Sequence, residues 1–321
     1  MKLIIQIPCY NEAKTLPQTI QDLPRSIPGI SSIELQVIDD GSTDGTSEIA
    51  RELGVAHIVR FRRNRGLAAA FRAGIDNALR LGADIVVNTD ADNQYMGSDV
   101  ALLVEPILNN TADMVIGCRP IDDHPEFSFL KKCFQKFGSW VLRKVSATSV
   151  PDAASGFRAY SRAALLRLNI FSDFSYTMET LIQAGYDNLQ IASRDIRVNP
   201  KTRESRLFRN IWHYMWRSGK TIINIFLLYR SARFFGVLAI GAFVAAVLVI
   251  VRYLVLMYLF QVSTTVFWPS IILAGVLLVL AFLLYLTGIL GSLLAANRKL
   301  SEDILYRLRK MEYDRPEGKR Q

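Results

Sequence analysis

The sequence predicts an α/β domain with a mainly parallel sheet, followed by interfacial helices and two C-terminal transmembrane helices. Two observations predict the α/β part: short apolar runs alternate with helix-period stretches over residues 2–117, and acidic clusters follow two of those runs. A third predicts the membrane part, because residues 234–260, apart from Arg252, and 268–296 are uncharged and apolar. With 321 residues, the chain can bury a full core and still spare a membrane segment.

The first part of the chain alternates predicted strands with predicted helices. The strands are expected at 3–7, 35–38, 57–60, 85–88 and 114–116, and the helices at 15–23, 46–53, 67–81 and 99–108. Such alternation indicates a parallel sheet covered on both faces, with ligands at the carboxyl ends of the strands. Residues 118–200 are less regular and predict helices at 129–145 and 176–184 and strands at 156–161 and 189–198.

The chain is expected to divide into four parts. The α/β domain covers 1–204, amphipathic juxtamembrane helices 205–233, two membrane spans 234–296 and a cytoplasmic tail 297–321. Aromatic and basic residues mix over 205–229, which is typical of an interfacial helix, although an ordinary packed helix has the same composition. The apolar spacing of the tail predicts that it lies either on the membrane or on the soluble domain.

Charge placement predicts the topology. The net charge is +9, and basic residues are crowded over 194–233, where they favour contact with anionic lipid rather than with nucleic acid. Arg230 and Arg233 precede the first span, and Arg298 and Lys299 follow the second. The positive-inside rule therefore places the catalytic part and the tail in the cytoplasm, in line with a start that lacks a signal peptide. Three widely spaced cysteines indicate a reducing compartment.

Two acidic clusters carry the predicted chemistry. Asp39 and Asp40 follow one predicted strand, and Asp90 and Asp92 follow another. Carboxylate oxygens are the ligands that Mg²⁺ and Mn²⁺ prefer, and such a metal would neutralise a diphosphate leaving group. Taken alone, either cluster is most simply explained as two aspartates in a solvated turn. The occurrence of both clusters in this order along the chain is therefore stronger evidence for a site than either cluster by itself.

Four motifs follow one another along the chain. They are Ile7-Pro8-Cys9-Tyr10-Asn11-Glu12, Val37-Ile38-Asp39-Asp40-Gly41-Ser42-Thr43-Asp44-Gly45-Thr46, Asn64-Arg65-Gly66-Leu67 and Thr89-Asp90-Ala91-Asp92-Asn93-Gln94-Tyr95. In order and spacing they resemble the family 2 glycosyltransferases of GT-A fold, and in particular the polyprenyl-phosphate glycosyltransferases of the dolichyl-phosphate mannose synthase type. The resemblance covers about residues 1–205, and two C-terminal spans also occur in that subgroup.

The resemblance implies a donor site. Residues that would hold the base and ribose of a nucleotide sugar are Pro8, Tyr10, Glu12 and Asp39, with Asp40 at the second acidic position of that motif. Asp90, Asp92 and Gln94 would bind the metal and the donor diphosphate. The chemistry of the residues agrees, since a carboxylate accepts from base N–H groups and ribose hydroxyls and a tyrosine ring offers a stacking face.

The resemblance also implies an acceptor site. Ser155 and Arg158 belong to the segment that resembles the acceptor side of the family, and Arg119 and Arg203 match basic positions that hold a lipid phosphate. A guanidinium suits a phosphate because its planar fork donates two parallel hydrogen bonds. Arg158 is expected to act together with Asp90 and Asp92 in catalysis.

Whether the reaction needs a general base is left open by the residues. A sugar hydroxyl needs one, whereas a phosphate monoester has its second pKa near 6 and is mostly a dianion at neutral pH. Asp152 and Glu179 are the candidate carboxylates in the acceptor half, and a core or capping role is equally compatible with their positions.

The expected function is therefore a membrane-anchored, inverting transfer of one sugar from a UDP- or GDP-sugar to a polyprenyl phosphate. One alternative is a single transfer to a hydroxyl of a lipid or glycan. An alternative of another class is an inactive membrane scaffold, against which the intact acidic motifs argue. The two spans could also pack between subunits of a homo-oligomer.

Overall fold

The computed structural model describes residues 1–120, 150–170, 176–200, 211–259 and 268–313. The chain forms two compact units, one of Met1–Thr221 with Ile304–Gln321 and the other of Ile222–Asp303. The predicted helix at 129–145 lies outside the described residues, as does Arg203.

A seven-stranded sheet organises the first unit. Its strands are β1 (Lys2–Cys9), β2 (Ser32–Asp39), β3 (His57–Arg60), β4 (Ile85–Asn88), β5 (Met114–Cys118), β6 (Arg158–Ser161) and β7 (Ile191–Asp195). They lie in the order β3-β2-β1-β4-β6-β5-β7, and every pairing is parallel except the two made by β6. The mainly parallel sheet is thus confirmed, and the antiparallel β6 is the feature that strand periodicity did not reveal.

Helices cover the sheet. In the first unit they are α1 (Leu16–Asp22), α2 (Thr46–Glu52), α3 (Leu67–Arg80), α4 (Val100–Leu108), α5 (Arg162–Arg167) and α6 (Tyr176–Tyr186). A 3₁₀ turn at Gly97–Asp99 precedes α4. Helix α5 was not expected from the sequence; it begins where the Ser161 hydroxyl accepts a hydrogen bond from the Ala164 N–H at 3.2 Å, an N-cap interaction.

The contact between α3 and the sheet shows how the sequence builds this core. Ala68, Phe71, Ile75 and Ala78 recur on one face of α3 and are buried. Gly74 lies on the same face, and a Cβ there would come within 2.9 Å of the Ile38 side chain on β2. Only glycine therefore allows the helix to approach β2 this closely, and the Gln36 side chain donates to the Gly74 carbonyl at 2.8 Å.

Two long helices, α7 (Ile211–Leu259) and α8 (Trp268–Tyr313), follow the sheet domain. Within Ser231–Tyr258 of α7 and within Trp268–Tyr313 of α8, each has an 18-residue segment apolar enough for a membrane span, with mean hydropathies of 2.9 and 2.6. Only 11% and 17% of these two segments are buried, so they are unlike the core helices of a soluble domain. Helix α7 is continuous through residue 233, where the predicted juxtamembrane segment meets the first predicted span.

Small residues line the contact within the second unit. Ala239 and Ala246 on α7, and Ala274 and Ala281 on α8, are buried at seven-residue spacing. A Cβ on Gly291 would lie 2.5 Å from the Ser231 Cβ, so these two helices approach closely at that point.

The last turns of α8, from Ile304, belong to the first unit. Arg309 donates to the Leu168 carbonyl at 2.8 Å, and Arg162 donates to the Tyr313 carbonyl at 3.1 Å. The Arg167 guanidinium lies 5.0 Å from the centre of the Tyr306 ring. Residues 304–313 therefore pack on the α/β domain. This is one of the two placements that the sequence predicted for the tail.

Candidate active site

The candidate site lies where the strand order reverses. Strands β2 and β3 extend the sheet on one side of β1, and β4 begins the other side. In an open α/β sheet, such a switch point leaves a crevice outside the carboxyl ends of the strands. Asp39 ends β2 beside Cys9, and Asn88 ends β4 just before Asp90, so both acidic clusters border the end of β1.

The end of β1 offers one open aromatic ring. Pro8 is buried in the strand, opposite Ile38 of β2. Glu12 is also buried, and its carboxylate accepts from the Thr15 hydroxyl at 2.8 Å. Tyr10 is 42% exposed, which leaves its ring accessible to a planar base.

Asp39 is fully buried beneath the loop that follows β2. Its carboxylate accepts from the Ser42 N–H at 2.8 Å and from the Ser47 hydroxyl, and Arg60 Nε lies 3.5 Å away. An open groove of about 460 Å³ adjoins this loop and is lined by Gly41, Ser42, Thr43, Arg60, Phe61 and Arg62. The sequence analysis did not single out Arg60, because its link to Asp39 arises only from the pairing of β2 with β3.

Asp40 shapes a second loop. Its two oxygens accept from the backbone N–H groups of Arg65 and Gly66 at 2.7 and 2.9 Å, just before α3 begins. Burial raises the pKa of Asp40, and the two backbone hydrogen bonds only partly offset this effect. These contacts give Asp40 a role in holding the Asn-Arg-Gly turn, while nucleotide contact by this residue stays a prediction.

Asp90 and Asp92 form the acidic pair of the site. Part of the Asp90 side chain reaches solvent, yet its surroundings are mostly protein; this burial and the neighbouring Asp92 charge raise its pKa to about 7. The charge of Arg119 and the nearby Tyr95 hydroxyl offset the rise in part. Two carboxylates that repel each other in a poorly hydrated place are suited to a divalent cation, which would favour both ionised forms.

The donor set for such a cation is small. The Asp92 carboxylate accepts from the backbone N–H of Gln94 at 3.2 Å, which fixes the turn that carries the pair. In the part of the chain that the structure describes, no cluster of three or more His, Cys, Asp or Glu side chains could hold a metal. The residues present therefore fit a metal that keeps open positions for phosphate oxygens and water, as Mg²⁺ and Mn²⁺ do.

Arg119 and Asp152 form an ion pair beside Asp90. Arg119 Nε lies 2.7 Å from Asp152 Oδ2, and its Nη2 donates to Oδ1 at 3.1 Å, so the pair is bidentate. Burial alone would raise the pKa of Asp152, but Arg119 holds it below the usual range. A carboxylate in this state is a weak base, since general bases work best with a pKa near the operating pH.

Arg158 has a different position from the expected one. It is fully buried, and its guanidinium donates to the carbonyls of Ala153, Ser155 and Thr177 at 2.7–2.8 Å. A further bond reaches the Thr180 hydroxyl at 3.0 Å. The guanidinium therefore joins the 153–155 loop to helix α6, and this geometry corrects the expectation that Arg158 faces a lipid phosphate.

Two other acceptor-side candidates are also buried. Ser155 is 0% exposed, and Glu179 lies buried on α6 with 3% exposure. Of the predicted phosphate ligands in the described residues, Arg119 is thus the one whose side chain is partly exposed, at 20%.

Three side chains that the sequence analysis did not select meet around Gly156: Asn88, Tyr95 and Tyr176. Tyr95 directly follows the Asp-Ala-Asp-Asn-Gln run, so its place in the motif was the available signal. Asn88 and Tyr176 are 88 positions apart and carried no such signal.

The comparison with known proteins decides the family. The profile of glycosyl transferase family 2 matches residues 4–168, about half of the chain and all of the site but α6. The chain belongs to glycosyltransferase family 2. It is a glycosyltransferase, and the family predicted from the four motifs is confirmed.

Relatives within glycosyltransferase family 2 include lipid-phosphate enzymes. The undecaprenyl-phosphate mannosyltransferase of Micrococcus luteus is 32% identical over 52% of this chain and 69% of its own length. The UDP-N-acetylglucosamine–dolichyl-phosphate N-acetylglucosaminyltransferase of Methanococcus voltae is 30% identical over 50% of this chain and 69% of its own.

A solved structure supports the GT-A fold of this glycosyltransferase. Glucosyl-3-phosphoglycerate synthase from Mycobacterium tuberculosis, in complex with Mn²⁺, UDP-glucose and phosphoglyceric acid, superposes with a TM-score of 0.54. The match covers 70% of this chain and 78% of that one at 20% identity, so it bears on the fold alone.

Proposed function

We propose that this glycosyltransferase moves a single sugar, with inversion, from a nucleotide-diphosphate sugar to the phosphate of a polyprenyl lipid. The observation that carries the proposal is the ion pair of Arg119 with Asp152 beside the acidic pair Asp90 and Asp92. It offers a guanidinium to an acceptor phosphate and removes Asp152 as an effective base. The names of both relatives, which specify a polyprenyl phosphate, support the same acceptor.

The donor would lie along the crevice at the end of β1. Tyr10 would stack on the base, and Asp39 and Glu12 would contact the base and ribose directly or through the loops that they hold. Mg²⁺ or Mn²⁺, held by Asp90, Asp92 and Gln94, would neutralise the diphosphate that leaves. The Asp90 turn therefore orients the diphosphate opposite the acceptor.

In the transfer itself, an oxygen of the acceptor phosphate attacks the anomeric carbon. The bond from that carbon to the diphosphate oxygen breaks, and its electron pair departs with the nucleoside diphosphate. Attack from the opposite face inverts the anomeric centre. Because the phosphate is already mostly a dianion, no proton has to be removed and Asp152 can remain paired with Arg119.

Arg119 would bind the acceptor phosphate. A guanidinium has five N–H donors, and in the described contacts Asp152 engages those on Nε and Nη2, so donors remain for a phosphate oxygen. Arg203 is proposed as a second phosphate ligand from its sequence position. Arg158 and Ser155 would act indirectly, by holding in place the loop that faces the acceptor.

The two apolar helices would span the membrane and keep the catalytic unit at the cytoplasmic face. Their length, hydropathy and exposure support the span, and the basic residues on their outer ends support the sidedness. A homo-oligomer packed through these helices stays a prediction.

The test is a radiolabelled transfer assay on the purified full-length protein. UDP- and GDP-sugars are offered with polyprenyl phosphate or with the matching polyprenol, in Mg²⁺ or Mn²⁺ and then in EDTA. We expect metal-dependent label in an acid-labile lipid, from polyprenyl phosphate only. Label in the polyprenol, with a strict need for Glu179, would instead indicate the hydroxyl-directed alternative.

The variant Asp92→Ala should abolish this transfer and leave the fold intact. The matched control is Asp22→Ala, which removes an exposed carboxylate at the end of α1. Retained turnover in Asp92→Ala would contradict the metal assignment. Nucleotide binding by the wild type without transfer to any acceptor would indicate the scaffold.

A further inference from the structure

The backbone of Gly156 is held from both sides by buried side chains. Its N–H donates to the Tyr95 hydroxyl at 3.3 Å. Its carbonyl accepts from Asn88 Nδ2 at 2.9 Å and from the Tyr176 hydroxyl at 3.4 Å. Asn88 Nδ2 also donates to the Tyr176 hydroxyl at 2.9 Å, so these groups form one closed network.

Gly156 packs directly on the Asp90 carboxylate. A Cβ at Gly156 would lie 3.1 and 3.3 Å from the two carboxylate oxygens and 3.0 Å from the Tyr176 hydroxyl. Any larger residue would push the carboxylate or the tyrosine aside. The segment that leads into β6 is therefore in contact with the residue predicted to bind the metal.

Tyr95 lies between Gly156 and the Asp90 turn. Its hydroxyl accepts from the Gly156 N–H, and it lies close enough to the Asp90 carboxylate to help lower the pKa of that group. Its ring stacks on Phe157 with centres 5.0 Å apart and planes at 14°. Tyr95 is 6% exposed, so the ring and hydroxyl have little freedom to turn away.

Tyr176 is held in the same manner from the other side. Its ring stacks on Phe71 of α3 at 4.0 Å and 15°, and it is 1% exposed. Asn88 is in turn held by Gln6, whose Nε2 donates to Asn88 Oδ1 at 2.9 Å inside the sheet. The network thus rests on β1, β4 and α3, all rigid elements of the core.

Packing alone does not account for the two hydroxyl groups. Phenylalanine would make the same ring stacks, and a buried hydroxyl is unfavourable unless its hydrogen bonds are used. Both hydroxyls are used on one glycine, and that glycine packs on the Asp90 carboxylate. A network of this kind is how proteins hold the ligating carboxylate of a metal site in orientation.

We propose that Tyr95, Gly156, Tyr176 and Asn88 form a tyrosine clamp that positions Asp90 against the acceptor-side loop, with Tyr95 as the positioning residue for Asp90. The clamp rests on the proposed function in that Asp90 is taken to bind the metal. It adds that metal binding on the donor side and the position of residues 153–158 are coupled through Gly156. Tyr95 acts on the metal through Asp90 rather than by contact with substrate.

The experiment compares Tyr95→Phe, Tyr176→Phe and Tyr160→Phe in the full-length protein. Tyr160 is the matched control: it is fully buried on β6, and within the described residues its hydroxyl has no hydrogen bond to Asp90 or Gly156. Mn²⁺ binding is measured directly by electron paramagnetic resonance titration in the presence of UDP or GDP. Kinetic constants for donor and acceptor, and the melting temperature, are measured on the same samples.

We expect Tyr95→Phe to weaken Mn²⁺ binding about tenfold, the lower end for loss of an outer partner of a metal ligand. Tyr176→Phe should leave Mn²⁺ binding within about twofold and raise the acceptor KM about three- to tenfold, since it loses one hydrogen bond to the loop. Tyr160→Phe should change neither constant.

If Tyr95→Phe bound Mn²⁺ with wild-type affinity, the clamp would be overturned. Equal losses of Mn²⁺ affinity in all three variants, in proportion to the fall in their melting temperatures, would also overturn it. A wild type that binds Mn²⁺ but forms no lipid product would refute the proposed acceptor, while the Mn²⁺ comparison still decides the clamp. A wild type that binds no Mn²⁺ would refute the metal assignment and the clamp together.

Discussion

The substitution Asp152→Asn separates an ion-pair role of this carboxylate from a role as general base. Asparagine keeps the shape of aspartate and one acceptor for Arg119 Nε, but it removes the charge and turns an N–H₂ group towards a guanidinium donor. Removing one partner of a buried ion pair costs about 3–5 kcal/mol, because the other charge is left uncompensated.

The expected cost lies at the lower end of that range. Asp152 is fully buried, whereas 20% of the Arg119 side chain is exposed and can recover some hydration. We therefore expect a loss of about 3 kcal/mol in the free energy of unfolding. For a domain of this size that corresponds to a fall of about 6–12 °C in the melting temperature.

Thermal unfolding of the detergent-solubilised protein and steady-state transfer at low temperature are the two assays. We expect the melting temperature to fall as stated, the acceptor KM to rise and kcat to change less than about tenfold. The double variant Arg119→Met with Asp152→Leu should be more stable than Asp152→Asn alone, since no unpaired charge remains. Glu48→Gln, which removes an exposed partner of Arg60, is the control and should leave the melting temperature unchanged.

The opposite pattern would refute this reasoning. An unchanged melting temperature together with a hundredfold or larger loss of kcat would assign proton abstraction to Asp152. It would also favour a hydroxyl acceptor over a phosphate, because only the hydroxyl needs a base.

Two further predictions concern stability. The Glu34 side chain loses some hydration, but its hydrogen bonds with Lys2 and His57 hold its pKa below the usual value. A carboxyl with a lower pKa in the folded state stabilises the protein above its unfolded pKa of about 4.3, and this contribution is lost as the pH falls through the folded value. Glu34→Gln should therefore reduce the loss of melting temperature between pH 5 and pH 3, and an unchanged acid profile would contradict it. Arg309→Ala removes a hydrogen bond to the Leu168 carbonyl and should lower the free energy of unfolding by about 1 kcal/mol. The control is Lys310→Ala, which changes an exposed neighbour. Equal effects of the two variants on the melting temperature would argue against a specific contact.

The sequence was sufficient for features whose cause is local. Each of the first five strands has its own apolar run, and the glycine-rich and acidic turns that follow β2 and β4 mark where those strands end. The positions of Asp39 and Asp90 at one edge of the sheet follow from the βα alternation itself. Likewise, the two apolar stretches predict helices long enough to span a membrane, because length and composition are enough for that inference.

The acceptor half was less predictable. Strand β6 is antiparallel between β4 and β5, and residues 158–161 alone carry no signal of strand direction. The resemblance to the family favoured Arg158 as a phosphate ligand, and the chemical match of guanidinium and phosphate agreed with it. Its burial reverses that choice, since a guanidinium without solvent has to use its donors on nearby carbonyls.

The sequence by itself thus determined the order of the elements, the family, the acidic pair and the apolar helices, because each depends on neighbours along the chain. Only the tertiary structure decided which groups are partners: Arg119 with Asp152, Tyr95 with Gly156, and Tyr176 with Asn88. The physical reason is that a buried polar group has to find its hydrogen bonds among whatever the fold brings within about 3 Å, and those neighbours come from distant parts of the chain.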